Sequence, residues 1–338
     1  MKQALIIGGF WSGGDQISEF LLWENEYDLK IAGVVDLYSQ TKSFISKYRR
    51  YETIKEALGQ TCPDMVIVVV PNYAKNTISA VQFILNNNID LFVQKLRLDS
   101  MDDVDSLQKA AQSSKARFFV GEGYRCTGKA RTLKYLLEQG LIGRIEYVVW
   151  KFFYPNVNSA WMKSYRHMTF EDLAYHHLGT LHYLLGLHPV KITAQSFSPT
   201  WVTQTATNTI GAMLVDTIEG YRLNYIAAWA ARGRKTGYFG DVLIEGEKGA
   251  LNLEGDRLLH TDSHGYVNEI PLLPAVYKNE IDHGLKSLIN KPHNDLPAVD
   301  LPAFTMEEFY AVLHTIYYAI AVSEQKNNHE SAFSFCVP

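Results

Sequence analysis

Apolar runs and polar breaks divide the chain into two stretches of different rhythm. Up to about residue 122, short apolar runs alternate with helical patterns. Ala4–Ile7, Ile31–Val35, Met65–Val70, Ile89–Val93 and Arg117–Val120 each read as a strand. Met65–Val70 is almost unbroken in β-branched residues, which suits a strand covered on both faces. Helical patterns follow at Gln16–Trp23, in a stretch ending at Leu85, and at Met101–Gln112. Strands alternating with helices predict a parallel, doubly wound sheet. Residues 1–122 are therefore expected to form one α/β domain.

After Gly123 the rhythm changes. A helix from about Ala130 ends at Gly140, and a long strand follows at Ile145–Phe153. An irregular aromatic segment, 154–168, leads into a helical stretch from Glu171 to Gly186. Lys191–Phe197, Thr209–Ile218, Tyr221–Trp229, Phe239–Glu245 and Ala250–Leu253 then read as successive strands. Consecutive strands predict a large, mostly antiparallel open sheet in an α+β domain spanning 123–338. One face of it, rich in Trp and Tyr, is expected to join copies of the chain into a homodimer or homotetramer. Thr305-Met306-Glu307-Glu308 has the capping-box pattern and opens an apolar helix to about Ser323.

The stretch from Glu171 to Gly186 carries candidate chemistry. Asp172, His176, Gly179 and Tyr183 recur every three or four residues and so share one helix face. A carboxylate one turn from an imidazole can orient it and support the cation formed when it takes a proton. The same residues also suit a plain helix start. Thr169 would then be the N-cap, Asp172 would sit at N3, and His176 would be an ordinary packed histidine. Both readings stand on this stretch alone. His177, His182 and His188 scatter around and past the helix, without a cysteine or acid cluster, so no metal site is expected.

Composition narrows the function classes. At 338 residues, 47% of them hydrophobic, the chain has ample material for two cores. A formal net charge of −4 gives no electrostatic case for nucleic acid or an anionic membrane. The basic group Arg232, Arg234 and Lys235 is short and reads as a solvated turn. Cys62, Cys126 and Cys336 are few and widely spaced, as expected of a reduced, cytoplasmic chain. The first apolar run stops at Gly8-Gly9, unlike a signal peptide, and no apolar stretch is long enough to span a membrane.

The first strand leads into Gly8-Gly9-Phe10-Trp11-Ser12-Gly13. The dinucleotide fingerprint G-x-G-x-x-G uses glycines for a tight turn, for backbone approach to the pyrophosphate and for helix packing. Here the first and third glycines match and Phe10 takes the second place. Asp36 ends the second strand, 23 positions after Gly13, where an acid would bind the adenosine ribose hydroxyls. A carboxylate there repels a 2′-phosphate and favours NAD over NADP. A glycine turn with a strand-end Asp in a sheet that binds no nucleotide fits the same residues. Lys95 falls at the carboxyl end of the fourth strand, the edge at which open α/β sheets bind ligands. A cation there could contact a cofactor carboxamide and a substrate hydroxyl, or be a plain exposed strand-end lysine.

In this order, the pieces resemble the Gfo/Idh/MocA oxidoreductases, the family of glucose–fructose oxidoreductase and inositol 2-dehydrogenase. Ile6-Ile7-Gly8 with Asp36 matches the nucleotide unit, and Val70-Pro71-Asn72 looks like the family's T-P-N turn. Val93-Gln94-Lys95-Leu96 sits where the family has V-x-E-K-P, and Gly123-Tyr124-Arg125 resembles its segment at the domain junction. Gly140-Leu141-Ile142-Gly143-Arg144-Ile145 follows as in the family. Asp172-x-x-x-His176 resembles its D-x-x-x-H helix, and Gly246 to Leu251 its G-x-x-G-x-L hairpin.

The resemblance implies a Rossmann domain followed by a substrate-binding domain, and an NAD(P)-dependent dehydrogenase acting on CH–OH groups of a sugar, sugar derivative or cyclic polyol. It implies catalytic roles for Lys95, Asp172 and His176, with His176 as base, Asp172 orienting it, and Lys95 anchoring the hydroxyl and helping to keep His176 neutral. Gly8, Phe10, Trp11, Asp36, Pro71, Asn72 and Lys95 would hold the cofactor, NAD in preference to NADP. Arg125, Asn156, Trp161, Tyr165 and Tyr238 are site-facing candidates; for each, core packing is the competing explanation. The sequence departs from the family at Phe10, at Gln94 and Leu96, and at Gly179, where many members carry an aspartate that contacts substrate hydroxyls. Those departures motivate a second function, a non-catalytic dinucleotide- or sugar-binding sensor on the same scaffold.

Overall fold

The structure is a computed structural model of the chain. It describes residues 1–8, 17–35, 48–70, 77–96, 98–156, 160–203, 205–289 and 304–328, with backbone alone at 17–21, 160–161 and 326–328. The chain divides into two compact units, 1–128 with 274–310 and 129–273 with 311–338.

The first unit is built on a six-stranded parallel sheet in the order β3-β2-β1-β4-β5-β6. Its strands are β1 (Lys2–Gly8), β2 (Leu29–Val35), β3 (Arg50–Tyr51), β4 (Met65–Val69), β5 (Asp90–Val93) and β6 (Phe118–Val120). Helices α1 (Ile17–Tyr27), α2 (Ile54–Thr61), α3 (Thr77–Asn86) and α4 (Met101–Ser113) alternate with them. Every residue of β4 is buried, as its unbroken apolar run predicts. The strand order reverses between β1 and β4, the switch point at which doubly wound sheets bind ligands. This is the α/β Rossmann architecture expected from the alternating pattern. Ser100 and Thr53 cap α4 and α2 by accepting from Asp103 N and Glu56 N.

The expected division at residues 122 and 123 differs from the structure, because residues 274–310 return to the first unit. Helix α7 (Glu280–Ile289) carries the reason. Its Ile281, Leu285 and Leu288 join Ala4, Ile6, Trp23, Ile67 and Phe92 in one buried apolar cluster. Gly284 lets the helix approach closely, since a Cβ there would fall 2.2 Å from the Phe92 ring. The Leu288 carbonyl accepts from Arg117 Nη2 at 2.7 Å and from Lys2 Nζ at 3.1 Å.

The second unit holds an eight-stranded sheet in the order β14-β13-β12-β11-β7-β10-β9-β8. Its strands are β7 (Ile145–Phe153), β8 (Pro189–Phe197), β9 (Ile210–Thr217), β10 (Arg222–Ala228), β11 (Asp241–Gly246), β12 (Gly249–Glu254), β13 (Arg257–Asp262) and β14 (Val267–Ile270). β7 and β10 pair in parallel and all other neighbours are antiparallel. The sheet is therefore large, open and mostly antiparallel, as the run of consecutive strands predicts. β7 alternates in burial, with Val148, Trp150 and Phe152 inward. Helix α5 (Gly128–Glu138) precedes the sheet. Helix α6 (Tyr175–Leu185) covers its inner side with a preceding π-helical segment, Thr169–Ala174. Gly211 of β9 makes room for that segment, because a Cβ there would lie 2.7 Å from the Phe170 ring. The last helix, α8 (Met306–Asn328), opens with the expected capping box. Thr305 N donates to Glu308 Oε2 at 3.0 Å, and Glu308 N donates to Thr305 Oγ1 at 3.3 Å.

Candidate functional site

Asp172 stands in the π-helical segment, not in an ordinary α turn. The start of this helix is also held differently from the capping-box expectation. Thr169 lies inside the π segment, fully buried, and does not act as N-cap. Glu171 takes that work, with Oε2 accepting from Arg166 N at 2.9 Å and His167 N at 2.6 Å. Phe170 N and Glu171 N both donate to the His167 carbonyl at 2.9 Å. The freed geometry leaves the Asp172 carboxylate for the interior, where the Tyr165 hydroxyl donates to Oδ1 at 3.2 Å. Two residues singled out in the sequence, Asp172 and Tyr165, are thus in direct contact. Short π segments recur at functional sites because they re-aim side chains within a helix.

The adjacent histidines divide their roles. His177 is fully buried, its ring 5.2 Å from Trp150 and 5.8 Å from Phe152. Its Nε2 lies 2.9 Å from the Tyr238 carbonyl and its Nδ1 3.0 Å from the Tyr225 hydroxyl. A carbonyl only accepts, so Nε2 carries the hydrogen and Nδ1 accepts from Tyr225. Burial pushes this imidazole down to about 3, with the His176 charge adding to the fall. His177 is therefore a neutral structural residue. His176, one position earlier and turned by about 100°, is partly exposed and meets Tyr175 edge to face at 5.0 Å. Its carbonyl accepts from Thr180 Oγ1 at 2.9 Å. Gly179 and Tyr183 are buried further along α6, which ends at Gly186 with a positive φ of 75°.

Tyr238 is half exposed and belongs to an aromatic cluster. Its ring stacks on Tyr154 at 5.1 Å and 24°, and Trp229 meets Tyr154 edge to face at 5.7 Å. Phe152 meets Trp229 at 5.0 Å. Lys235 Nζ sits 4.7 Å from the Tyr154 ring centroid. A hydrogen bond from Tyr238 and, after it, the Lys235 charge hold the Tyr154 phenol below its ordinary range. Burial, the Tyr154 pairing and the Asp172 carboxylate push Tyr238 the other way. Tyr154 and Lys235 are residues the sequence reading missed as partners of Tyr238. The signal available was the aromatic density of 150–154 and 229–239. Asn156 donates from its backbone to the Trp229 carbonyl at 2.8 Å. Trp161 lies on the 3-10 turn Ala160–Ser164, and its side chain falls outside the described residues.

In the first unit, β1 ends at Gly8 with φ 93°, and a Cβ there would sit 2.1 Å from the Val69 carbonyl oxygen of β4. The close approach of β4 and the positive φ both require glycine at this position, the first of the fingerprint. Phe10, Trp11, Asp36, Pro71 and Asn72 lie outside the described residues. Lys95 follows β5 and is buried. Beside it, Gln94 Nε2 donates to Glu280 Oε1 at 3.1 Å, so a carboxylate from α7 stands next to the position where the family motif has its own. Arg125, one of the site-facing candidates, shows the packing that was its competing explanation. Its guanidinium is fully buried, with Nη2 2.9 Å from Glu308 Oε1 and Nε 3.9 Å from Glu122 Oε2, and it covers the Phe304 ring at 4.8 Å. Its charge is spent on structure. Among the described residues, no three His, Cys, Asp or Glu side chains gather as a metal set, and no helix is long and apolar enough to cross a membrane.

Comparison with known proteins gives the fold a context. No curated protein matches the sequence. The fold is shared with an oxidoreductase from Agrobacterium radiobacter solved in complex with NAD+, L-tartaric acid and magnesium, at 15% identity and TM-score 0.79, covering 96% of this chain and 97% of that one. It is also shared with a UDP-N-acetylglucosamine 3-dehydrogenase from Acidithiobacillus ferrooxidans, at 15% identity and TM-score 0.72, covering 96% and 98%. An aldose–aldose oxidoreductase from Caulobacter crescentus, complexed with glycerol, superposes at 14% identity and TM-score 0.73 over 96% and 98%. Residues 130–252, which hold Asp172, His176 and the Tyr154–Tyr238 cluster, match the family model of the GFO/IDH/MocA C-terminal domain. The helix and aromatic cluster described above therefore lie in the stretch that resembles a GFO/IDH/MocA C-terminal domain, on a fold that the chain shares with oxidoreductases along almost its whole length.

Proposed function

We propose that this chain is an NAD(P)-dependent oxidoreductase that moves hydride between a nicotinamide cofactor and a secondary alcohol of a sugar, sugar derivative or cyclic polyol, with NAD preferred over NADP. The observation that carries the proposal is the Asp172–His176 pair, in which Asp172 is held by Tyr165 on a π segment and His176 stays partly exposed on the next turn. The residues present fit a dinucleotide. The strand order reverses beside β1, and Gly8 at its end has a positive φ and no room for a Cβ. Gly8, Phe10, Trp11, Asp36, Pro71, Asn72 and Lys95 would hold it, and when bound it supplies the hydride acceptor.

The chain's own residues do the proton work. His176 takes the proton from the substrate hydroxyl. Asp172 orients His176 and stabilises the imidazolium that results, while the Tyr165 hydroxyl fixes the carboxylate. Lys95 binds the hydroxyl oxygen and stabilises its developing negative charge. Tyr238 offers an aromatic face to a sugar-like ring. Arg125 is not part of this set. Copies of the chain are proposed to associate through the outer face of the eight-stranded sheet, where Leu214 and Phe197 stand exposed; light scattering on the purified protein reads this directly.

The test has two stages. NADH titration, followed by tryptophan fluorescence, reports cofactor binding. A screen of sugars and polyols for NAD+ reduction then reports turnover. A chain that binds NADH yet reduces NAD+ with none of them is the sensor, not the enzyme. On an identified substrate, a Lys95→Ala variant that kept wild-type turnover would sink the assignment of that residue.

A further inference from the structure

The loop between Ala230 and Asp241 carries three cations, and they are not used alike. Arg234 Nη2 pairs with Asp241 Oδ2 at 2.6 Å, with Glu254 at 3.9 Å. Arg232 lies over the Trp201 ring at 4.7 Å. Lys235 is exposed, and among the described residues no carboxylate pairs with it. Its contacts are the Tyr154 ring and hydroxyl.

This lysine is nonetheless held in place. On its far side, Thr236 N donates to the Phe153 carbonyl at 2.8 Å, and Phe153 N donates to Thr236 Oγ1 at 3.1 Å. On its near side, Arg234 is tied to Asp241. Two residues beyond Thr236, the Tyr238 carbonyl is clamped by His177. A cation on an anchored loop loses little freedom when it meets an anion, so more of the contact appears as affinity.

The arrangement has direction. Tyr238 stacks on Tyr154, and Tyr154 carries Lys235. A cation therefore stands at one end of an aromatic pair that begins at the half-exposed Tyr238. We propose that Lys235 reads an anionic substituent, carboxylate or phosphate, on a sugar-like substrate whose ring lies on Tyr238 and Tyr154. This rests on the oxidoreductase reading for the identity of the ring and adds the class of substituent. A neutral polyol leaves Lys235 without a counter-charge, whereas a sugar acid or sugar phosphate supplies a charge-assisted hydrogen bond.

Calorimetric titration of the full chain with D-glucose, D-glucuronate and D-glucose 6-phosphate tests this. At least one anionic sugar is expected to bind ~10-fold more tightly than D-glucose, and which of the two does so separates carboxylate from phosphate. Lys235→Ala is expected to erase that gap without changing the affinity for D-glucose, and Lys235→Arg to keep most of it. Equal binding of all three, binding of none, or a gap that survives Lys235→Ala overturns the proposal. The same compounds offered with NAD+ keep the two ideas apart. A gap in binding without any NAD+ reduction leaves Lys235 as the anion reader and removes the dehydrogenase reading.

Discussion

Arg125 in the first unit and Asp172 in the second are both buried charges, yet their surroundings differ in kind. Arg125 meets Glu308 and Glu122 and lies flat on Phe304, and its side chain has no exposure. Asp172 meets a neutral phenol, Tyr165, and sits near a half-exposed aromatic face that leads to an exposed lysine. One cluster is closed by charge on itself. The other holds its carboxylate against a hydroxyl, near an aromatic face that reaches solvent at Tyr238 and Lys235. A buried ion answered by an opposite ion has no capacity left for a ligand.

Substitutions can break that contrast. On an identified substrate, His176→Ala should lower kcat by ~10²–10⁴ while leaving the thermal midpoint almost unchanged. Arg125→Met should do the reverse. Leaving Glu122 and Glu308 without their partner should cost ~3–5 kcal/mol of stability in denaturant melts, while KM stays near wild type. If Arg125→Met altered KM and not stability, the closed cluster would have to be counted as part of the site.

Smaller effects sharpen the comparison. Gly284→Ala should destabilise by ~1–3 kcal/mol, because its new methyl group meets the Phe92 ring at 2.2 Å. A melt unchanged by that substitution would refute the packing account of α7. His177 supplies a pH test. Its folded value, about 3, lies below the ordinary 6.5, so the folded state binds fewer protons than the unfolded one. The stability this neutral ring contributes is full above about pH 6.5 and is lost as pH falls toward 3. The slope should reach at most ~1.4 kcal/mol per pH unit, and His177→Asn should flatten it in melts taken across that window.

How much of this could be seen in the sequence depended on whether a signal was local. The β4 and β7 runs declare themselves, because burial on two faces and on one face leave different periods. The helix with Asp172 and His176 was legible from spacing, although its π start was not, since nothing in Thr169–Ala174 marks the wider turn. Helix α7 was missed because Asp282, His283 and Gly284 interrupt its apolar face, and each has a distant partner that the sequence does not show. Asp282 accepts from Tyr27, 255 residues away, and Gly284 yields to Phe92. Arg125 and Lys235 differ in a way that the sequence does not show. A sequence shows that a cation is present, while the presence of an answering carboxylate is a fact of three dimensions.

The π segment has a consequence for chain length. Its hydrogen-bonded loop encloses one residue more than an α turn does. Deleting a single residue between Thr169 and Ala174 would let the same stretch close as α-helix. Everything upstream of the deletion would then be re-clocked by about 100° against His176. The proposed partnership of acid and histidine thus depends on a count of residues as much as on their identity.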